Sequence, residues 1–145
     1  MAKRFTLEEA RRLIPQVARL LAEAVALRAG YAEAEQAIRS SAERIMMMGG
    51  VNVNRDAARL SHNRLASCAA RLKSALEEFE SLGCQVKDLD TGLVDFPTVY
   101  RGEDVCLCWK LGEPDIRFWH RADEGFAGRK AIDRDFLVSR LLMRA

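Results

Sequence analysis

The sequence predicts an α+β fold: a long antiparallel helical hairpin, coiled-coil-like in its spacing, packed on a small three-stranded antiparallel sheet and followed by a short C-terminal helix. In the first half of the chain, apolar or small residues recur at alternating spacings of four and three, which is the heptad period of paired helices. In the second half the period changes to two and turn residues cluster, as is typical of strands. The 145 residues fit a single domain, 1–145.

The first helix is predicted over residues 7–48. Thr6 and Glu9 form a capping-box pattern at its start, in which each side chain satisfies a backbone N–H of the other residue. Gly49 and the glycine after it end the helix, because glycine readily adopts the left-handed conformation of a C-cap. The heptad seam consists of Leu13, Val17, Leu20, Ala24, Leu27, Tyr31, Ala34, Ile38, Ser41, Ile45 and Met48.

The second helix is predicted over residues 54–82 and repeats the same spacing. Asn52 or Asn54 can cap its start, and Gly83 ends it. Because the link between the two helices is short, they must pack antiparallel. The seam of the second helix consists of Ser61, Leu65, Cys68, Leu72, Ala75, Phe79 and Leu82.

Three strands are predicted after the hairpin, over residues 93–100, 105–111 and 116–121. The intervening sequences RGED and GEPD have the turn chemistry of two antiparallel hairpins. The middle strand presents one uniformly apolar face, and this face should meet the helices because an antiparallel sheet commonly buries one side. The residues of this face are Val105, Leu107, Trp109 and Leu111.

The register of the strands decides whether the cysteines and histidine of this region can share a metal ion. Four-residue loops would pair Tyr100 with Val105 and Leu111 with Ile116. That register puts His120 on the core side of the sheet and both cysteines of the sequence CLC, residues 106–108, on the outer side. A single Cys-X-Cys pair is also a weak metal signal. We therefore expect structural thiols and no metal or cofactor.

Catalytic chemistry has little support in the sequence. The sequence contains no nucleophile elbow, phosphate-binding glycine loop or HExxH motif. His62 and His120 are more simply explained by packing than by acid–base work. Asp95 and Glu113 are equally well explained as a carboxylate pair or as a strand residue and a turn residue. No catalytic residue is assigned, and enzymatic activity stays undecided.

The composition of the sequence indicates which partners and which cellular compartment we expect. The chain has 23 basic and 21 acidic side chains, so no net field favours binding to nucleic acid or to an anionic membrane. The N-terminal sequence MAKRFTLEEA has no apolar stretch of a secretion signal, and no apolar run is long enough to span a bilayer. We expect a soluble cytoplasmic protein with reduced thiols.

Three motifs follow the predicted hairpin in a fixed order: GLVDFP (residues 92–97), CWKLGE (108–113) and FWH (118–120). With these motifs the chain resembles the prokaryotic domain-of-unknown-function family numbered 2203, over most of residues 5–132. The resemblance implies a bacterial or archaeal cytoplasmic protein. It implies no activity, substrate or catalytic residue.

Two classes of function follow from these features. We favour an interaction or assembly module that acts through the helical hairpin, whose tip carries Met46 and Met47 as adaptable contact residues. The alternative is a small-ligand-binding protein or enzyme that uses the outer face of the sheet. The candidate residues on that face are Asp95, Cys106, Cys108, Arg117, Trp119 and Arg121.

A tail helix is predicted over residues 133–144, with Asp133 as its cap. It is rich in apolar residues, and one chain does not easily cover them together with the apolar flank of the first helix. We therefore expect self-association as a dimer. The tail either joins that interface or folds back over Cys106, Cys108 and Trp119 of its own chain.

Overall fold

The structure, a computed structural model, describes residues 3–49 and 54–143, with side chains described as far as residue 139. It has an α+β fold with a long helix pair and an antiparallel sheet, as predicted. The helices and strands are α1 Leu7–Met47, α2 Arg55–Leu82, β1 Gln85–Asp88, β2 Leu93–Tyr100, β3 Glu103–Lys110, β4 Phe118–Arg121, β5 Lys130–Ala131 and α3 Arg134–Met143.

The ends of the long helices are set by the predicted caps. The Thr6 hydroxyl accepts a hydrogen bond from the Glu9 backbone at 3.1 Å, and the Glu9 carboxylate accepts one from the Thr6 backbone at 3.3 Å. Asn54 caps α2 by accepting from the Ala57 N–H at 3.1 Å. Gly83 ends α2 in the left-handed conformation, with φ of 91°. Asn52 and Gly50 lie outside the described residues.

The two helices pack antiparallel along their heptad seam. Ion pairs join them at Glu23–Arg71 and Glu33–Arg64, so residue numbers rise along α1 as they fall along α2. Gly30 permits a close approach, because a Cβ atom at this position would lie 3.1 Å from the Cys68 sulfur.

Only one end of the helix pair contributes to the core. The last buried residue of α1 is Ala34, and the buried residues of α2 are Ala75 and Phe79. Residues 35–47 and 55–74 contain no fully buried residue, and we call this two-helix extension the hairpin arm; at its base, half-buried Leu72 still packs against the core. The largest side chains of the core are Trp109, Phe5, Phe79, Phe96 and Phe136.

The sheet has five antiparallel strands in the order β1-β2-β3-β4-β5, so the prediction of three strands was wrong. The two missed strands lie at the edges and contain four and two residues. Strands this short do not display a period of two, which is why the sequence pattern did not reveal them.

The β2–β3 connection is shorter than predicted but leaves the faces of both strands unchanged. It is a two-residue turn of Arg101 and Gly102, both with positive φ (52° and 77°), and it pairs Tyr100 with Glu103. This is the type I′ geometry that suits the twist of a hairpin. The pairing differs from the predicted one by two residues, an even number, so Val105 and Trp109 face the helices as expected.

The β3–β4 connection overturns the predicted faces of β4. Residues 111–117 separate these strands, and Cys106 pairs with His120 where a four-residue loop would pair it with Arg121. A shift of one residue exchanges the two faces of a strand. His120 consequently lies on the outer face, and Trp119, opposite Leu107, lies on the helical side.

Side chains of the loop and of β3 stabilise this wider connection. The Glu113 carboxylate accepts a hydrogen bond from the Lys110 N–H at 2.6 Å, and the Trp109 indole donates to the Glu113 carbonyl at 3.0 Å. Ile116 reaches the core before β4 begins at Phe118. The loop is therefore an ordered part of the fold.

The predicted tail helix folds back on its own chain as α3. Asp133 caps it by accepting from the Phe136 N–H at 2.9 Å. Phe136 packs against Tyr100 and Trp119, with ring centroids 4.6 and 5.7 Å away. Because Trp119 has changed faces, the tail covers the helical side of the sheet.

Candidate functional site

Four side chains that carry a carboxylate, thiol or imidazole group lie close together on the outer face of β2, β3 and β4. In the observed register Asp95 of β2 lies opposite Cys108 of β3, and Cys106 of β3 lies opposite His120 of β4. Their exposed fractions are 1% for Asp95, 8% for Cys106, 1% for Cys108 and 3% for His120. We call these four residues the buried polar cluster.

Asp95 and His120 form a hydrogen-bonded pair within the cluster. The Nδ1 atom of His120 lies 2.7 Å from the Arg121 carbonyl, which can only accept, so Nδ1 carries a proton. Nε2 lies 3.0 Å from the Oδ1 atom of Asp95, and this contact needs one further proton between the two atoms. The other carboxylate oxygen of Asp95 is buried and makes no hydrogen bond of normal geometry in the described part of the chain, although the Cys108 thiol lies beside the carboxylate.

The two thiols of the cluster are poor nucleophiles in this environment. Burial, reinforced by the negative charge of Asp95, raises the pKa of Cys106 to about 11 and that of Cys108 to about 11. Since the thiolate is the reactive form, both residues are almost wholly protonated and unreactive at neutral pH. The cluster therefore lacks the activated thiol of a cysteine-dependent enzyme.

Arg129 lies over the Cys108 side of the cluster. Its guanidinium stacks between the rings of Phe118 and Phe126, at 4.2 and 4.7 Å from their centroids. The same group donates to the Cys108 carbonyl at 3.2 Å and forms an ion pair with Glu113. Together with the burial of all four cluster residues, this arrangement gives an organic substrate no direct approach to the Asp95–His120 pair.

The cluster contains the donor atoms of a metal site. Among the residues that the structure describes, Asp95, Cys106 and His120 each offer one ligand atom, and these atoms all lie within 4.8 Å of one another. Cys108 lies beside this set of three. The sequence-based expectation of no metal depended on placing His120 on the core side, and that placement was wrong.

The structure does not form the predicted ligand site around Trp119. Trp119 packs edge-on against Tyr100, with centroids 5.0 Å apart, and lies on the opposite face from Asp95. Arg117 and Arg121 are exposed beside it. Glu113 pairs with Arg129 and Asp95 with His120, so each of these two carboxylates has a partner of its own.

The hairpin arm presents the other candidate surface. Met46 and Met47 are 83% and 87% exposed at its tip. A groove of about 430 Å³ lies between the helices, lined mainly by small residues and by Ile38, Ile45 and His62. The arm is therefore an exposed candidate surface that the described part of the chain does not cover.

The place of His120 in the buried polar cluster was not predicted, because one residue of register separates a core histidine from a cluster histidine. The available signal was the sequence LGEPDIR between the strands, which is long enough for a wide loop. A four-residue loop was preferred because it kept Arg117 and Arg121 off the core side of the sheet, but both side chains are exposed in the observed register. The positions of Asp95, Cys106 and Cys108 on the outer face were correctly predicted.

A protein-family model described as "Uncharacterized conserved protein (DUF2203)" matches residues 3–132. This match confirms the resemblance inferred from the three motifs, and it ends just before α3. No curated protein and no solved structure gives a significant match. None of the described helices is long and apolar enough to span a membrane.

Proposed function

The chain belongs to the DUF2203 family, and from that premise we propose that it acts as an assembly module whose hairpin arm pairs with a second copy of the chain. The observation that carries this proposal is a self-complementary stripe on the exposed face of α2. We call it the outer stripe. It consists of Arg55, Arg59, His62, Ala66, Ala69, Lys73, Glu77 and Glu80, all of them exposed.

The outer stripe has the spacing of a helix-pairing surface. Its residues follow each other mostly at alternating intervals of four and three, as the seam between α1 and α2 does, so they lie along one side of the helix. The middle of the stripe contains alanines, whose small side chains permit close approach of another helix. The ends of the stripe are charged and opposite in sign.

The charges favour an antiparallel pair of α2 helices. A twofold axis near residue 68 would set Arg59 of each copy opposite Glu77 of the other and Arg55 close to Glu80. A parallel pair would instead bring like charges together. Flanking charges of this kind choose the partner and orientation of paired helices more than they add affinity.

The rest of the arm has apolar positions that a second copy would cover. The seam residues Ile38, Ile45 and Leu65 are only half-buried between the two helices of one chain. Pairing two hairpins would create a four-helix arrangement, which is the usual way for such hairpins to complete their core. The exposed methionines of the tip extend the surface available for contact.

Light scattering with charge reversals tests this proposal. We expect the mass of two chains at high micromolar concentration. Glu77→Arg should shift the equilibrium to one chain, because it places two like charges together twice in each dimer. Adding Arg59→Glu should restore the dimer. The matched control Glu78→Arg changes an exposed neighbour off the stripe and should leave the mass unchanged.

Two results would overturn the proposal. One is a single-chain mass for the unmodified protein at every concentration up to high micromolar. The other is a dimer that persists in Glu77→Arg but dissociates when residues 133–145 are removed, which would assign the interface to the tail. We expect the truncated chain to remain dimeric, since α3 packs on its own chain.

The proposed compartment is the cytoplasm. The four cysteines at positions 68, 84, 106 and 108 are free thiols, which suit a reducing environment.

A further inference from the structure

We propose that Asp95, Cys106 and His120 form a binding site for one divalent transition-metal ion of the zinc class. The site is separate from the hairpin arm, and the proposal is independent of self-association. Zinc binds through thiolate sulfur, imidazole nitrogen and carboxylate oxygen, and these three residues offer one donor of each kind.

The spacing of the three donors suits a single ion. Their ligand atoms lie within 4.8 Å of one another, and the Asp95 and His120 atoms are already 3.0 Å apart. A tetrahedral zinc centre with bonds of about 2.0–2.3 Å places its ligand atoms about 3.3–3.8 Å apart. Small side-chain rotations are therefore enough to close the site around an ion.

The orientation of His120 is that of a metal-bound histidine. Its Nδ1–H group donates to the Arg121 carbonyl at 2.7 Å, which fixes the ring and directs Nε2 toward Asp95. Histidine ligands of metal ions almost always make such a bond with the nitrogen that does not bind the ion. An ion at Nε2 would replace the proton that now joins His120 and Asp95.

The environment of the Asp95 Oδ2 atom is an independent observation that favours a cation site. Asp95 is 1% exposed, and its Oδ2 atom makes no hydrogen bond of normal geometry among the described residues; the weakly donating Cys108 thiol is the group beside the carboxylate. A buried carboxylate oxygen without a partner is destabilising, because it has lost its water without replacing it. An ion held by this carboxylate would remove that penalty.

The charges around the site are compatible with a cation. On binding, a divalent ion would displace the proton of the Cys106 thiol, and the resulting thiolate together with the Asp95 carboxylate would supply two negative charges. The nearby Arg129 is neutralised by its ion pair with Glu113, so it does not oppose the ion with a free charge. Because the donors come from β2, β3 and β4, the bound ion would cross-link the three central strands.

Metal analysis of the untagged, full-length protein tests the proposal. The protein is first stripped with a chelator, then dialysed against zinc, and we expect about one ion per chain. Cys106→Ser should weaken zinc binding by more than about 100-fold in a chelator competition, since losses of outer-shell partners alone cost about 10–100-fold. The matched control Cys84→Ser removes another buried thiol outside the cluster and should bind zinc normally.

A spectroscopic measurement separates loss of a ligand from loss of folding. Cobalt(II) bound to the stripped protein should give a thiolate-to-metal charge-transfer band, retained in Cys84→Ser and absent in Cys106→Ser. Asp95→Asn keeps the shape of the side chain and should lower cobalt affinity while circular dichroism shows a native fold. Failure of the unmodified protein to retain zinc, or an unchanged band in Cys106→Ser, would overturn the proposal.

Discussion

Trp109 joins the hydrophobic core to the loop that sets the register of β4. Its side chain is 2% exposed and packs in the core, while its indole N–H bonds to the carbonyl of Glu113. Trp109 therefore stabilises both the hydrophobic core and the conformation of the loop. Removing this side chain should disturb both.

Replacing Trp109 with Ala should lower the free energy of unfolding by about 3–5 kcal/mol, as large aromatic truncations in cores do. Urea titration followed by circular dichroism measures this loss. Trp109→Phe, which keeps most of the apolar volume and loses the hydrogen bond, should cost less than the alanine variant. A loss below about 1 kcal/mol for Trp109→Ala would contradict its place in the core.

The residues of the site were predictable in part. Asp95, Cys106 and Cys108 were placed on the outer face because alternation along β2 and β3 depends only on which side is apolar. The face of His120 was not predicted correctly, because it depends on the β3–β4 loop, whose conformation is stabilised by the side chain of Glu113. Contacts of that kind are tertiary and leave no periodic signal in the sequence.

At the scale of elements, the long helices were predicted to within one residue at each end. Local signals decide these ends, since Thr6, Asn54 and Gly83 act on backbone groups within a few residues. The edge strands β1 and β5 were missed, because their pairing comes from neighbouring strands rather than from their own sequence. The tail helix was predicted with its cap, but its docking place was left open.

The packing of α3 on the rest of the chain should depend on pH. Asp135 accepts hydrogen bonds from the Tyr100 hydroxyl and from Arg101, and the Tyr100 bond contributes most to lowering its pKa. A carboxyl group whose pKa is lower in the folded than in the unfolded protein stabilises the fold at pH values above its ordinary, unfolded pKa. This stabilisation is lost as the pH falls through the folded pKa. The stabilisation is therefore present at neutral pH and is lost below about pH 4.

We expect the fluorescence of Trp119, which contacts Phe136 of α3, to change on acidification from pH 5 to pH 2 as α3 loosens. In Asp135→Asn this transition should disappear, because the amide does not titrate. Asp123→Asn, an exposed carboxyl in the loop after β4, is the matched control and should retain the transition. Identical acid profiles for all three proteins would contradict the assigned contact.

The whole molecule consists of a packed body and a projecting arm. The body contains the sheet, α3 and the buried ends of α1 and α2, whereas none of the described residues of the arm is itself fully buried. The proposed metal site lies in the body and the proposed pairing surface lies on α2. The two proposals can therefore fail or succeed separately.

Hydrogen exchange should reveal this division. In Glu77→Arg, which we expect to be monomeric, amides of the arm should exchange faster than those of β3, because local opening is easiest where little apolar surface is buried. In the dimeric protein the protection of residues 55–74 should increase while that of β3 stays the same. Equal protection of arm and body in the variant would show that the arm is not an independent unit.

The length of the loop between β3 and β4 also bears on whether a related chain could retain the proposed metal site. Its length decides which residue of β4 stands opposite Cys106, so a one-codon insertion or deletion within residues 111–117 would bring Arg121 or Trp119 there in place of His120. The donor set would be lost although every residue of the strands stayed the same. Among relatives, the length of this loop therefore distinguishes chains that can hold the ion from chains that carry the same side chains without the site.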